Sequence, residues 1–501
     1  MAAFAERLKE AMELKGLKQA DVIRLAQPFG EPVGIRIGKS HMSQYVSGKT
    51  EPRRDILKVL AQALEVDYLW LEGDDVAMTA DSHPAKEQQS KNSWSIGEDG
   101  MRTFNKSSKL DNVLYDVRGP VVEEAKRMED AGMHVLKLNI GNPAPFGFRT
   151  PEEVIFDMRQ QLTECEGYSD SKGLFSARKA IMQYAQLKNL PNVTINDIYT
   201  GNGVSELINL SMQALLDEGD EILIPSPDYP LWTATATLAG GKVVHYICDE
   251  QAEWYPDMDD IKKKITDRTK AIVLLIQTIR LAHYIKGSID GDCKNCKRHQ
   301  LIISDEIYDR LVMDGENISQ LHRWRRSVLR NIQRLSNLYM IAGFRIGWMI
   351  LSGKKEMAKD YIEGLNMLSN MRLCSNVPAQ SIVQTALGGY QSVNNYIIPG
   401  GRIYEQREYI YKVLNDIPGI SVVKPKAAFY AFPKIDTKRF NILDDEKFAL
   451  DFLKEKKVLI VHGGGFNWKQ PDHFRIVYLP RIEILEESLN NLRDFLSTYQ
   501  Q

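Results

Sequence analysis

Residues 301–308 read Leu-Ile-Ile-Ser-Asp-Glu-Ile-Tyr. A short apolar, β-branched run stops on a carboxylate, and a phenol follows three positions later. Such a run, too short for a helix and lacking polar alternation, predicts a strand buried on both faces. Two more runs share its character, Glu221-Ile-Leu-Ile-Pro and Ala271-Ile-Val-Leu-Leu, and stretches of helical periodicity separate them. The alternation predicts an α/β fold: a mostly parallel sheet with flanking helices, plus a smaller C-terminal α/β domain. By itself Asp305 could also be a buried acid capping a helix.

Composition narrows the class. The chain has 501 residues, 43% apolar and 26% charged, which predicts two or three domains with a large core. A net charge of −2 gives no global attraction to nucleic acid or to a membrane surface. No apolar run approaches the roughly 18 residues of a membrane span. Five cysteines, sparse and odd in number, predict a reducing, cytoplasmic setting and no disulfide framework.

The first 72 residues read as a separate small all-α unit. Phe4, Leu8, Met12 and Leu14 form an apolar stripe that Gly16 ends. A second helix is expected near 19–26, then a loop over 27–38. Ser40 would cap a short helix over 41–47, closed by Gly48, and Asp55 would cap a last helix holding Leu57, Leu60, Leu64 and Val66 inside. The segment Ser40-His-Met-Ser-Gln-Tyr-Val-Ser-Gly-Lys-Thr-Glu-Pro resembles the recognition helix and turn of Cro/repressor-type helix-turn-helix proteins. The resemblance implies DNA binding. Ser40, His41, Ser43 and Gln44 would face the major groove, and Lys39, Lys49 and Arg53 would meet phosphates. A small bundle used for protein contact is the other reading. Residues 73–103 read as a flexible linker, and Met101-Arg-Thr-Phe resembles the start of a second protein, as in a fusion.

In the large module, 104–501, motifs say more than periodicity. Gly201-Asn-Gly-Val-Ser-Glu follows a short strand and opens a helix whose first amides suit a phosphate. Ser226-Pro-Asp-Tyr-Pro follows the strand at 221–224. Ala342-Gly-Phe-Arg-Ile-Gly-Trp, His473-Phe-Arg-Ile-Val-Tyr-Leu and Ile140-Gly-Asn-Pro-Ala complete the set, with Tyr168, Gly173 and Arg178 spaced five apart. Singly these are a tight turn, a Pro-rich loop and surface arginines. In this order they resemble the fold-type I (class I/II) aminotransferases over roughly 400 residues, nearest the bacterial alanine-synthesising branch.

That resemblance implies pyridoxal 5′-phosphate as cofactor and a role for each residue. Gly203, Val204, Ser205 and Arg345 would hold the phosphate, and Tyr229 would stack on the ring. Asp305 would pair with the ring nitrogen and Tyr308 with the 3-hydroxyl. Arg475 would grip the substrate carboxylate, with Gly141 beside it. Tyr168 would reach the phosphate of a neighbouring subunit, so a homodimer is implied. A large cofactor lobe over about 150–390 and a small lobe from 104–149 and 391–501 are expected.

Two places break the pattern. Eight positions before Arg345, where the family has the lysine that bonds covalently to the cofactor, stands Asn337. After the strand at 271–275 the family carries Asn-Pro-x-Asn-Pro-Thr-Gly, but this chain reads Ile276-Gln-Thr-Ile-Arg-Leu-Ala-His283. Written as ATC CAA ACA ATC CGA CTG GCG CAC and begun one nucleotide earlier, the same bases give Asn-Pro-Asn-Asn-Pro-Thr-Gly-Ala. Lys286–Lys297 and Asn331–Leu335 shift in the same way to family-like text. We therefore read about 276–300 and 319–338 as out-of-frame text. Under that reading Cys293-Lys-Asn-Cys296 and Arg323-Trp-Arg-Arg are accidents, and no metal site is expected.

The sequence thus implies a transaminase acting on small amino acids and 2-oxo acids, with alanine/pyruvate and glutamate/2-oxoglutarate foremost. It is joined to a DNA-binding head and lacks its essential lysine as written. A regulator with a catalytically dead cofactor-sensing domain, or a pseudogene product, are the alternatives.

Overall fold

A computed structural model describes residues 2–30, 35–50, 52–64, 66, 70–71, 104, 106–110, 113, 119–275, 301–315, 328–334 and 339–501. Asn337, Ile276–His283, the Cys293/Cys296 pair, Arg323-Trp-Arg-Arg and the 73–103 linker lie outside these residues. The chain divides into two compact units, 1–105 and 106–501.

The first unit contains helices Ala2–Leu14, Gln19–Gly30, Lys39–Val46 and Arg54–Leu64. Phe4, Leu8, Val22, Met42, Leu57, Leu60 and Leu64 close its core. Three local expectations need correction. The second helix runs on to Gly30 because Pro28 sits in its last turn, where a missing N–H costs a single intrahelical bond. Ser40 is not the cap of the third helix: Gly38 holds that place, and no side chain caps it. Asp55 is likewise inside the fourth helix, which begins at Arg54. Gly48 does close the third helix, at φ 72°. The Gly48 amide donates to Tyr45 O and the Lys49 amide to Gln44 O, a Schellman closure.

The second unit is built on an eight-stranded mixed sheet. We number its strands β1 (Ile198–Asn202), β2 (Glu221–Ser226), β3 (Lys242–Asp249), β4 (Tyr255–Pro256), β5 (Thr269–Leu275), β6 (Leu301–Asp305), β7 (Val328–Arg334) and β8 (Ile346–Gly353). Their order is β1-β8-β7-β6-β5-β2-β3-β4. The run from β7 to β3 is parallel, while β8 and β4 join antiparallel and β1 pairs antiparallel with β8.

Period-two alternation explains why the central strands are apolar throughout. Ile222, Ile224, Val273 and Ile303 face the helix Val204–Leu215 in one cluster. Leu223, Ile272, Leu274 and Ile302 face the opposite layer, with Ile181 and Tyr184 of helix Phe175–Leu187.

A C-terminal lobe adds a three-stranded antiparallel sheet from Tyr430–Ala431, Phe474–Val477 and Val461–His462. Strand Leu136–Lys137 pairs in parallel with Val458–Leu459, bringing the 119–149 segment to this lobe. Among the described residues no helix is long and apolar enough to cross a membrane.

Candidate active site

The parallel strands end together, and the turns that follow them shape a cavity of about 760 Å³. Such a volume suits a small-molecule ligand. Ser205, Tyr229, Asp305, Tyr308, Arg345, Gly141 and Arg475 all line it. They come from six separate segments, so only the fold brings them together.

Asp305 ends β6 and is 3% exposed. The Trp232 indole donates to its Oδ2 at 3.0 Å, fixing the carboxylate plane. One turn on, Tyr308 is buried edge-on against Phe429, and its hydroxyl donates to Tyr430 Oη at 3.1 Å. Beneath this turn Lys188 pairs with Glu306 Oε2 at 2.7 Å and with Asp309. Burial works against the ammonium, yet the Asp309 and Glu306 carboxylates hold its pKa above the ordinary lysine range.

Gly203 is the N-cap of helix Val204–Leu215, at φ 79°. A Cβ there would lie 2.4 Å from Arg345 Nη2, so only glycine admits the guanidinium this close. Arg345 Nη1 donates to Ala342 O at 3.2 Å and Nη2 to Asn202 O at 3.4 Å. Gly203 and Val204 stand behind the cavity wall, with Ser205 on it.

Arg475 reaches the cavity from the C-terminal sheet. Its guanidinium carbon lies 4.5 Å from the ring centres of both Tyr430 and Phe466, and Nη2 donates to Asn139 O. A Cβ on Gly141 would fall 2.0 Å from Tyr430 Oη, so that glycine lets the 140–142 turn press onto the tyrosine. Tyr168, at 84% exposure, is not among the cavity-lining residues.

Sequence reading missed several neighbours. Trp232, Tyr430, Phe466 and Lys188 act only through tertiary contact and belong to no motif of catalytic type. Asp228 was passed over inside Ser226-Pro-Asp-Tyr-Pro; it is 5% exposed, and burial pushes its pKa up to about 7. Thr233 and Asn467 hydrogen bonds oppose that rise. Cys248, also on the wall, has its thiol pKa pushed up to about 12 by burial. Among the described residues no group of three or more acids, histidines or cysteines could hold a metal ion.

A two-lobed α/β unit with a strand-end acid, a glycine-backed arginine and a ring-flanked arginine around one cavity defines a class of cofactor-dependent enzymes. The family model for aminotransferase class I and II matches residues 133–280 and 292–489, and the chain belongs to that family of pyridoxal-phosphate-dependent transferases. The match is interrupted over 281–291, inside the stretch where the sequence departs from the family's loop.

The chain is 55% identical over 404 residues to the glutamate-pyruvate aminotransferase AlaA of Haemophilus influenzae, covering 80% of this chain and all of that one. It superposes with a TM-score of 0.76, at 54% identity, on a crystal structure of an aminotransferase from Escherichia coli, covering 80% of this chain and 100% of the other. An alanine aminotransferase from Pyrococcus furiosus gives 0.73 at 37% identity, covering 78% and 100%.

The side chains present fit the family's cofactor. The cavity offers a buried carboxylate, a half-buried tyrosine, and an arginine set against a helix start that a side chain at 203 would obstruct.

Proposed function

We propose that this chain derives from an aminotransferase for small amino acids and 2-oxo acids, with alanine/pyruvate and glutamate/2-oxoglutarate as its substrate pairs. We propose also that, as written, it does not turn over. The observation that carries the reading is the convergence of Asp305, Arg345 and Arg475 on one cavity. The relative named for glutamate and pyruvate supports the substrate choice.

In this reading Arg345, Ser205 and the amides of Gly203 and Val204 receive the phosphate. Tyr229 lies against the ring, Tyr308 hydrogen-bonds its hydroxyl, and Asp305, held by Trp232, pairs with the ring nitrogen. Bound pyridoxal phosphate supplies an electron sink for the pair released from the substrate's α-carbon. Arg475, fixed between two rings, binds the α-carboxylate. The exposed Tyr168 reaches a partner's site in a cytoplasmic homodimer. A lysine Nζ would take and return the α-proton; the Asn337 amide has no basic atom for that task.

The interruption of the family match over 281–291 supports the out-of-frame reading of that part of 276–300. Sequencing codons 270–340 tests it. Recovery of Asn-Pro-Asn-Asn-Pro-Thr-Gly and Ser-Lys predicts alanine formation from glutamate and pyruvate, and confirmation of the present text predicts none. Alanine formation by the chain as written would overturn the reading.

One observation favours a second role for the first unit. On helix Lys39–Val46, Ser40, His41, Ser43 and Gln44 are exposed, as are Lys39 and Lys49, while Met42 and Tyr45 are buried. That is the outward polar face a DNA-reading helix needs. Binding of the full chain to its own promoter should weaken with salt and with Gln44→Ala; indifference to both would remove this role.

A further inference from the structure

Asp228 and Asn467 form a clasp between the turn after β2 and the C-terminal lobe. Asp228 Oδ1 accepts from Asn467 Nδ2 at 2.9 Å, and Oδ2 accepts from Thr233 Oγ1 at 2.5 Å. The Asp228 amide donates to Phe466 O at 2.9 Å, and Ser226 Oγ donates to Asn467 O at 2.7 Å. Both sides of the clasp border working residues. Tyr229 follows Asp228 in the chain, and Phe466, which precedes Asn467, packs on the Arg475 guanidinium.

Both carboxylate oxygens accept here, and asparagine could replace them only by turning its NH2 toward the Thr233 hydroxyl; aspartate instead keeps a carboxyl buried on the wall of the cavity. The titratable and charged groups that share the cavity with it are Tyr229 in its own turn, Cys248 on β3, Glu253 and Tyr255 at β4, and Asp305 and Tyr308 at the end of β6. The others are Arg345 before β8, and Lys424, Lys426, Tyr430 and Arg475 from the C-terminal lobe. Among the described residues none of these pairs with Asp228; its partners are a hydroxyl, an amide and a backbone carbonyl.

We propose that Asp228 is a positioning residue for the substrate carboxylate, clasping the Tyr229 turn to the Phe466 turn and so holding Arg475 in register with the cofactor site. The inference rests on the roles given above to Tyr229 and Arg475. It has a consequence that a purely structural clasp lacks. Asp228 lines the cavity that receives an anion, and its burial places its ionisation near neutrality. Ionised, it opposes the incoming carboxylate; protonated, it does not.

The test is calorimetric binding of 2-oxoglutarate to the full chain at pH 6 and pH 8. The unsubstituted chain should bind about fivefold more weakly at pH 8, the scale of one like charge across a partly solvated cavity. Asp228→Asn should bind equally at both pH values. Thr233→Val, which keeps the carboxyl but removes one bond of the clasp, should weaken binding at both and preserve the pH difference.

Arg475→Ala separates the carboxylate site itself from the role of Asp228. If that variant binds normally, or the unsubstituted chain does not bind at all, the site reading falls and this inference with it. If Arg475→Ala loses binding while Asp228→Asn keeps the pH difference, the site reading stands and Asp228 has no such role. Unchanged affinity in Thr233→Val would overturn the clasp.

Discussion

The Trp232 indole N–H donates to Asp305 Oδ2 at 3.0 Å, and both residues are buried. The bond ties the helix after β2 to the end of β6, two strands away in the sheet. A carboxylate with one oxygen held by a fixed donor can present the other in a single direction. Trp232→Phe keeps the aromatic packing and removes the donor, so noncovalent affinity for pyridoxal phosphate should fall about tenfold, as for one lost hydrogen bond to a charged group. Titration by cofactor absorbance measures it, and unchanged affinity would show that Asp305 needs no such anchor.

Covalent chemistry at 337 gives a second prediction. Incubated with pyridoxal phosphate and reduced with borohydride, the chain as written should release all cofactor on denaturation at the 337 site. Asn337→Lys supplies the missing amine, so a peptide containing residue 337 should carry the label. Mass spectrometry of the digested protein decides. Label on the 337 peptide of the unsubstituted chain would contradict the role assigned to this position.

Lys188 braces the turn that carries Tyr308 by pairing with Glu306 and Asp309, both at most 3% exposed in their side chains. Lys188→Met would leave two buried carboxylates without their cation. The expected loss is about 3 kcal/mol of unfolding free energy. Denaturant unfolding would measure it, and a loss below about 1 kcal/mol would mean that the turn is held by other contacts.

Asp228 predicts a pH dependence of stability as well as of binding. Its folded pKa, about 7, is raised by burial from the ordinary aspartate value of 3.8. The native state therefore holds this proton more tightly than the unfolded chain. The resulting stability is fully present below about pH 4 and is lost as pH rises through 7. Asp228→Asn should match the unsubstituted chain near pH 4 and exceed it at pH 8. A shift of this size sets an upper bound of roughly 4 kcal/mol on the gain. Equal unfolding midpoints at pH 8 would refute the buried, partly neutral carboxyl.

Local patterns in the chain were enough to place the chemistry-bearing side chains and the elements that hold them. Asp305 could be read at a strand end because an apolar run of strand length stops there. Gly203 could be read because Gly201-Asn-Gly stands between a strand pattern and a helical one, and its φ of 79° accords with glycine there. Asn337 needed no structure, since an amide lacks a nucleophilic amine wherever it sits. Local cues failed where alternatives of similar energy compete. The glycines and prolines of 27–38 predict a loop, yet the helix continues to Gly30, and the cap expected at Ser40 is Gly38.

Tertiary structure decided what acts on those side chains. The Trp232–Asp305 bond spans 73 residues, and the contact between Asp228 and Asn467 spans 239. Arg475 owes its setting to Tyr430, Phe466 and Asn139, which come from three other segments. Periodicity reports which face of an element is buried, but not which neighbour covers it. Pairings over such separations follow from sheet order and lobe packing, and neither is written in any local window of the chain.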